Sequence, residues 1–151
     1  KWKNADGSLD MDTLLKEFLK FWQKHSEVWE ERSNYTEAFP HLLLMAFLQR
    51  ILNGGGHIDR EYAAGRGRMD LAVQFNNQLF VIEIKIVHSY ETPAEVKKEG
   101  LLQIKRYCDQ TQPFAAYLLI FDRRDAAKQL PWKQRIKWIK KTKDNPAVLW
   151  C

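Results

Sequence analysis

Two short runs joined by an Asn-Asn pair constrain this chain more than any other feature. Met69, Leu71, Val73 and Phe75 alternate with polar or small residues, the period-2 signature of a half-buried strand. Val81 to Val87 is rich in β-branched residues and reads as a second strand. Asn76-Asn77 suits a two-residue hairpin loop, because asparagine tolerates the positive φ that such turns need. With that loop, Phe75 pairs with Gln78, Asp70 stands directly opposite Glu83, and Arg68 opposite Lys85. Directly opposed side chains share a face, with Cβ atoms roughly 5 Å apart. Two carboxylates so placed repel each other unless a cation lies between them. An apolar hairpin carrying Asp, Glu and Lys at one point therefore builds either a metal site or an ion-pair cluster that includes Arg68.

The rest of the composition sets bounds. At 151 residues, 45% apolar and 28% charged, the chain is one globular domain of ordinary size. No run of 18 apolar residues is present, so no membrane span is expected. The chain starts at Lys1 and ends at Cys151 without an evident cap, so it is expected to be part of a longer protein; no signal peptide is legible. Cys108 and Cys151 make no disulfide framework and the four histidines fall in no zinc spacing, which fits a reducing, cytoplasmic setting. The net charge of +5 is uneven. Lys133, Arg135, Lys137, Lys140, Lys141 and Lys143 stand together with no acid among them, leaving the remainder near −1. Read as a basic C-terminal helix, this segment either contacts a polyanion through Lys133, Lys137, Lys140 and Lys141, or is a solvated amphipathic helix packing Trp132, Ile136 and Ile139 inward.

In chain order, Ser8 or Asp10 can cap a helix to about Arg32, with Leu15, Leu19, Trp22, Ser26 and Trp29 on its core stripe. A second helix is predicted over about 36–52, with Pro40 near its first turn, an apolar surface nearly all round, and a glycine cap at 54–56. Glu37 at its start suits a positive helix terminus. A strand over 57–63 precedes the hairpin, and Ala64-Gly65-Arg66-Gly67 turns between them. Arg66 and Arg68 could hold a phosphate by planar charge-assisted contacts, or neutralise a carboxylate such as Glu61. Thr92-Pro93-Ala94-Glu95 reads as a capping box opening a helix to about Asp109. Within it Gln103 and Tyr107 share a face, and Gly100 implies a close approach to the sheet or a ligand. Phe114 to Phe121 is a strand covered on both faces, parallel to the Glu83 strand, and 146–151 a short last strand.

Asp70, twelve intervening residues, then Glu83-Ile84-Lys85 resembles the PD-(D/E)xK phosphodiesterase superfamily. Glu37 matches the family's acidic residue in the first core helix, and Gln103-Ile104-Lys105-Arg106-Tyr107 matches the Gln-x-x-x-Tyr motif of some branches. The residue before Asp70 is Met rather than Pro, a departure common in this divergent superfamily. The stretches Glu37-Ala38-Phe39-Pro40 and Gly65 to Asp70 also look like the nuclease-like domain appended to bacterial AAA-type ATPase-like proteins. The resemblance implies an α/β, restriction-endonuclease-like core (α-β-β-β-α-β over about 36–122, a mixed sheet flanked by helices). An extra N-terminal helix and the basic C-terminal helix complete the single domain 1–151.

It further implies Mg²⁺ or Mn²⁺ held by Asp70, Glu83 and the Ile84 carbonyl, with Glu37 assisting. Lys85 would orient the nucleophile or stabilise the transition state, and Gln103 and Tyr107 would fix substrate or Lys85. Glu61, Arg66 and Arg68 rank behind these. The function so implied is metal-dependent hydrolysis of DNA, with an ATPase domain as a partner in the same full-length chain. Two rival readings stand beside it: a nuclease-fold module that binds nucleic acid or docks an ATPase domain without cutting, and a purely structural ion-pair cluster of Asp70, Glu83, Lys85 and Arg68.

Overall fold

The computed structural model describes residues 2–30, 38–52, 55–64 and 67–151, of which 27–30, 38, 59–64 and 67–69 are described by backbone alone. Helix α1 spans Met11–Glu30. Asp10 caps it, accepting from the Thr13 N–H at 3.1 Å and from the Thr13 hydroxyl. Its stripe of Leu15, Leu19, Trp22 and Ser26 is buried as the heptad-like spacing requires; Trp29 lies outside the described side chains. Helix α2 spans Ala38–Ile51. It buries Leu44 and Leu48 but leaves Leu42 half exposed, so it is not enclosed all round as its composition suggested.

Strands β1 (Gly56–Ala64), β2 (Gly67–Phe75) and β3 (Gln78–Val87) form an antiparallel meander. Asn76 and Asn77 turn the second hairpin at φ +48° and +62°, and Phe75 pairs with Gln78. Helix α3 (Pro93–Thr111) crosses back to β4 (Ala115–Asp122), which runs parallel to β3. Pro93 opens α3, yet Thr92 makes no side-chain cap bond, so the sequence signature of a capping box marks the start without forming its reciprocal bonds.

Short helices α4 (Asp125–Lys128) and α5 (Trp132–Arg135) then lead to β5 (Lys137–Ile139) and β6 (Ala147–Trp150). The expected basic C-terminal helix is therefore corrected. After four residues of α5 the chain extends into β5, which pairs antiparallel with β6. Trp132 and Ile136 pack against the core as expected, joined by Trp138 two residues on, while Ile139 is exposed. Period 2 wins over the 132/136/139 helical spacing because the β6 edge offers a ladder and a core face at once.

The result is an α/β fold with one mixed six-stranded sheet, ordered β1-β2-β3-β4-β6-β5, consistent with a restriction-endonuclease-like core. One face packs on α1 and α2 through Phe18, Trp22, Leu48, Val73, Phe80, Ile82 and Phe121. The other packs on α3 through Val81, Val96, Ile104, Tyr107, Leu118 and Ile120. Gly100 lets α3 approach closely: a Cβ there would lie 2.7 Å from Leu118 Cδ1 and 3.4 Å from Lys85 Cγ. Among the described residues, no helix is long and apolar enough to cross a membrane.

Candidate active site at the parting of two strands

The hairpin register holds from Phe75↔Gln78 to Leu71↔Ile82, and there the recorded pairing stops. In a two-residue hairpin the odd residues of β2 and the even residues of β3 exchange the ladder bonds, so the next donor is the Ile84 N–H. Instead of continuing to the β2 backbone, that N–H donates to Asp70 Oδ2 at 2.7 Å. The Asp70 carboxylate thus takes the place of a backbone acceptor at the point where β2 and β3 part. A strand residue projects its N–H and C=O to the same side, so the Ile84 carbonyl also faces this gap.

Glu83 lies next to it, on the α3 side of the sheet, and is only 3% exposed. Burial, followed by the neighbouring Asp70 carboxylate, pushes the Glu83 pKa up to about 9, with Lys85 pulling the other way. Lys85 Nζ is 4.0 Å from Glu83 Oε2 and 3.2 Å from Glu99 Oε1. Its stem lies against Gly100, so the same close approach that seats α3 also holds the lysine. The gap therefore brings Asp70, Glu83, Lys85 and the Ile84 backbone near one another, although the predicted pairs Asp70–Glu83 and Arg68–Lys85 lie beyond the last ladder pair, Leu71↔Ile82.

Two partners were missed from the sequence. His41, on α2, has Nδ1 3.8 Å from Asp70 Oδ1, a charge contact when the imidazole is protonated and too long for a hydrogen bond. Glu99, on α3, holds Lys85. Both were reachable by one rule: His41 stands four residues after Glu37, and Glu99 four before Gln103, so each shares a helical face with a residue already singled out. Gln103 is half buried, and its Oε1 is enclosed with no hydrogen-bond partner among the described residues. Tyr107 is fully buried in the core under α3.

Glu37 and Arg66 lie outside the described residues, and Glu61 and Arg68 are described by backbone alone, with Arg68 paired to Ala63 of β1. Lys133, Lys137, Lys140 and Lys141 are all exposed, on α5, β5 and the loop that follows. Lysines on and beside an edge strand also protect it against pairing with another chain.

No three His, Cys, Asp or Glu side chains cluster as a cage among the described residues. The donor set nevertheless fits a hard divalent cation. Mg²⁺ takes one or two carboxylates and keeps water and substrate oxygens for the rest. Here Asp70, a buried Glu83 that is costly to ionise alone, and a strand carbonyl converge, with Lys85, shared with Glu99, as the nearest ammonium among the described residues.

The sequence profile of the PD-(D/E)XK nuclease superfamily matches residues 35–116, more than half the chain and the span that contains Asp70, Glu83, Lys85, Gln103 and Tyr107. Comparison with curated proteins and with solved structures gave no match.

Proposed function

Since the chain belongs to the PD-(D/E)XK nuclease superfamily, we propose that it hydrolyses phosphodiester bonds in DNA, with Mg²⁺ or Mn²⁺ held by Asp70, Glu83 and the Ile84 carbonyl. The observation that carries this reading is the replacement of a ladder bond by Asp70, which opens the sheet where Glu83 and Lys85 face it. A sheet gains nothing in stability from placing a buried acid against a second carboxylate at such a break. When bound, the ion supplies positive charge at the phosphate and lowers the pKa of water.

The chain's own residues supply the rest. Asp70 and Glu83 would hold the ion at the strand gap and so set where a scissile phosphate can sit. Lys85, held between Glu83 and Glu99, offers its ammonium to the charge that develops on the phosphate oxygens. Gln103, with an enclosed oxygen lacking a partner, accepts a hydrogen bond from water or from a substrate donor. Tyr107 acts from within the core by holding α3 in place. Glu37 assists at the ion, and Arg66, Arg68 and the exposed Lys133, Lys137, Lys140 and Lys141 hold backbone phosphates. On the strength of the resemblance to domains appended to AAA-type ATPase-like proteins, the same reading places an ATPase domain on the full-length chain.

The test is cleavage of single-stranded, duplex and branched DNA with Mg²⁺ or Mn²⁺ by the parent, Asp70→Asn and Glu83→Gln. Both substitutions keep shape and hydrogen-bonding capacity while removing charge. The expected result is metal-dependent product from the parent and at least a hundredfold loss in each variant. Variants that cut like the parent would show the site to be elsewhere. A folded parent that cuts no DNA would leave a binding module.

A further inference from the structure

A second feature of the molecule lies on the opposite flank of α3 from Lys85. At 100° per residue, Glu99 and Gln103 project from one side of this helix, and Lys97, Leu101, Lys105 and Cys108 from the other. That other side forms one wall of a groove of about 900 Å³; the loop 141–146 before β6 forms the second, and Phe114 and the start of β4 close it.

The walls carry Lys97, Lys98 and Lys105 on α3 and Lys141 and Lys143 on the loop, against only Asp109 and Asp144. None of these five ammonium groups forms an ion pair within the described residues, and all but the half-buried Lys97 are exposed. Between the lysines the lining is apolar. Leu102 is 47% and Phe114 53% exposed, the latter with its ring edge-on to Phe80 at 5.3 Å and its outer part open.

Cations on two facing walls with an aromatic and aliphatic lining between them match one chemistry. Phosphates seek the walls, and an unstacked base seeks the ring. A duplex offers phosphates alone and would leave the apolar lining in water, whereas a small apolar ligand would leave five cations unused. The volume is of the size that takes a nucleotide-scale ligand.

We propose that this groove binds a single-stranded segment of nucleic acid, its backbone between the α3 lysines and Lys141/Lys143 and one base against Phe114. In combination with the proposed nuclease activity, on which this part of the inference rests, the groove holds a strand on the far side of α3 from the point of cutting. It would thereby favour substrates with a single-stranded arm. Binding itself needs neither Asp70 nor a divalent ion.

The experiment is fluorescence anisotropy of a labelled oligothymidylate with the full chain, without divalent metal, over a salt series. Duplex of equal length is the comparison. Four proteins are used: the parent, Lys105→Glu/Lys141→Glu, Phe114→Leu and Asp70→Asn, each checked for a parent-like thermal transition. The expected result is parent binding with a preference for the single strand and a steep salt dependence. The double charge reversal should lower affinity at least tenfold and flatten the salt slope. Phe114→Leu, which keeps apolar cover over Phe80, should lower affinity about tenfold with the slope unchanged. Asp70→Asn, which leaves the groove untouched, should keep the preference for the single strand.

Binding unaffected by the double reversal overturns the proposal, as does equal affinity for duplex. A loss with the lysines but none with Phe114→Leu also overturns it, since the surface is then a bare charged patch. Loss of cleavage in Asp70→Asn with binding intact tests the nuclease site separately. A parent that binds but never cuts therefore sinks the proposed activity and leaves the groove standing.

Discussion

At the scale of the residue, Asp70 has two tasks that substitution can separate. Its Oδ2 accepts the Ile84 N–H, a structural bond, and its charge faces Glu83. Asparagine keeps an acceptor and drops the charge; alanine drops both and leaves an N–H without its partner. Asp70→Ala should therefore be less stable than Asp70→Asn by about 1–3 kcal/mol in urea denaturation without metal. Equal stabilities would show that the Ile84 bond contributes nothing. His41 offers a different test at the same carboxylate. Standing 3.8 Å from Oδ1, it is placed on α2 to steer Asp70 by charge. Residues that orient a metal ligand typically cost 10–100-fold in affinity when removed. His41→Ala should lower Mn²⁺ affinity by about tenfold in calorimetric titration with little change in thermal stability. An unaltered affinity would reduce His41 to a neighbour.

At the scale of the element, α3 links the core to the candidate site through Gly100. Alanine there would place a methyl 2.7 Å from Leu118 Cδ1. Overpacking of this kind typically costs 1–3 kcal/mol, offset in part by the roughly 1 kcal/mol helix preference of Ala over Gly. Gly100→Ala should thus destabilise by at most about 2 kcal/mol in denaturant. It should also lower cleavage more than its stability loss explains, because Lys85 Cγ rides on the same contact. A stabilised variant with parent activity would show that Leu118 yields freely. The need for closeness was legible from a glycine in mid-helix, just as the register was legible from Asn76-Asn77. Those are local signals, set by one residue's conformational freedom. The parting of the strands at Asp70 was not legible, because it depends on a side chain displacing a backbone acceptor across two strands. Nor was the fate of 132–139. Trp132, Ile136 and Ile139 fit a helix as well as Ile136 and Trp138 fit a strand, and only the tertiary offer of the β6 edge decides between them. Helical spacing pointed to His41 and Glu99, but not to the strand residue each meets, because a contact between a helix and a strand has no fixed sequence spacing.

At the scale of the whole molecule, two well-packed layers hold a poorly balanced point between them. Phe18, Trp22 and Phe121 meet in one aromatic group beneath α1, with Trp22 and Phe121 centroids 4.7 Å apart, while α3 seals the other face. Against that rigid frame Glu83 cannot turn to water, so its protonation is tied to folding. A carboxyl raised from 4.5 to about 9 binds its proton more tightly in the folded than in the unfolded chain. Its contribution to stability is complete below pH 4.5 and falls as pH rises to about 9, with a slope of at most about 1.4 kcal/mol per pH unit. Without metal, thermal transitions measured from pH 5.5 to 8.5 should therefore decline more steeply for the parent than for Glu83→Gln, which has no charge to desolvate. Under the proposed function a divalent ion would reverse the sign, since it would bind the ionised carboxyl and release the proton. The stabilisation produced by Mn²⁺ should grow with pH in the parent and vanish in Glu83→Gln. Parallel parent and variant curves without metal would detach Glu83 from the stability of the domain. A Mn²⁺ effect that survives in Glu83→Gln would place the ion away from the gap between β2 and β3. The two measurements together therefore separate a carboxyl that is merely buried from one that is kept buried for an ion.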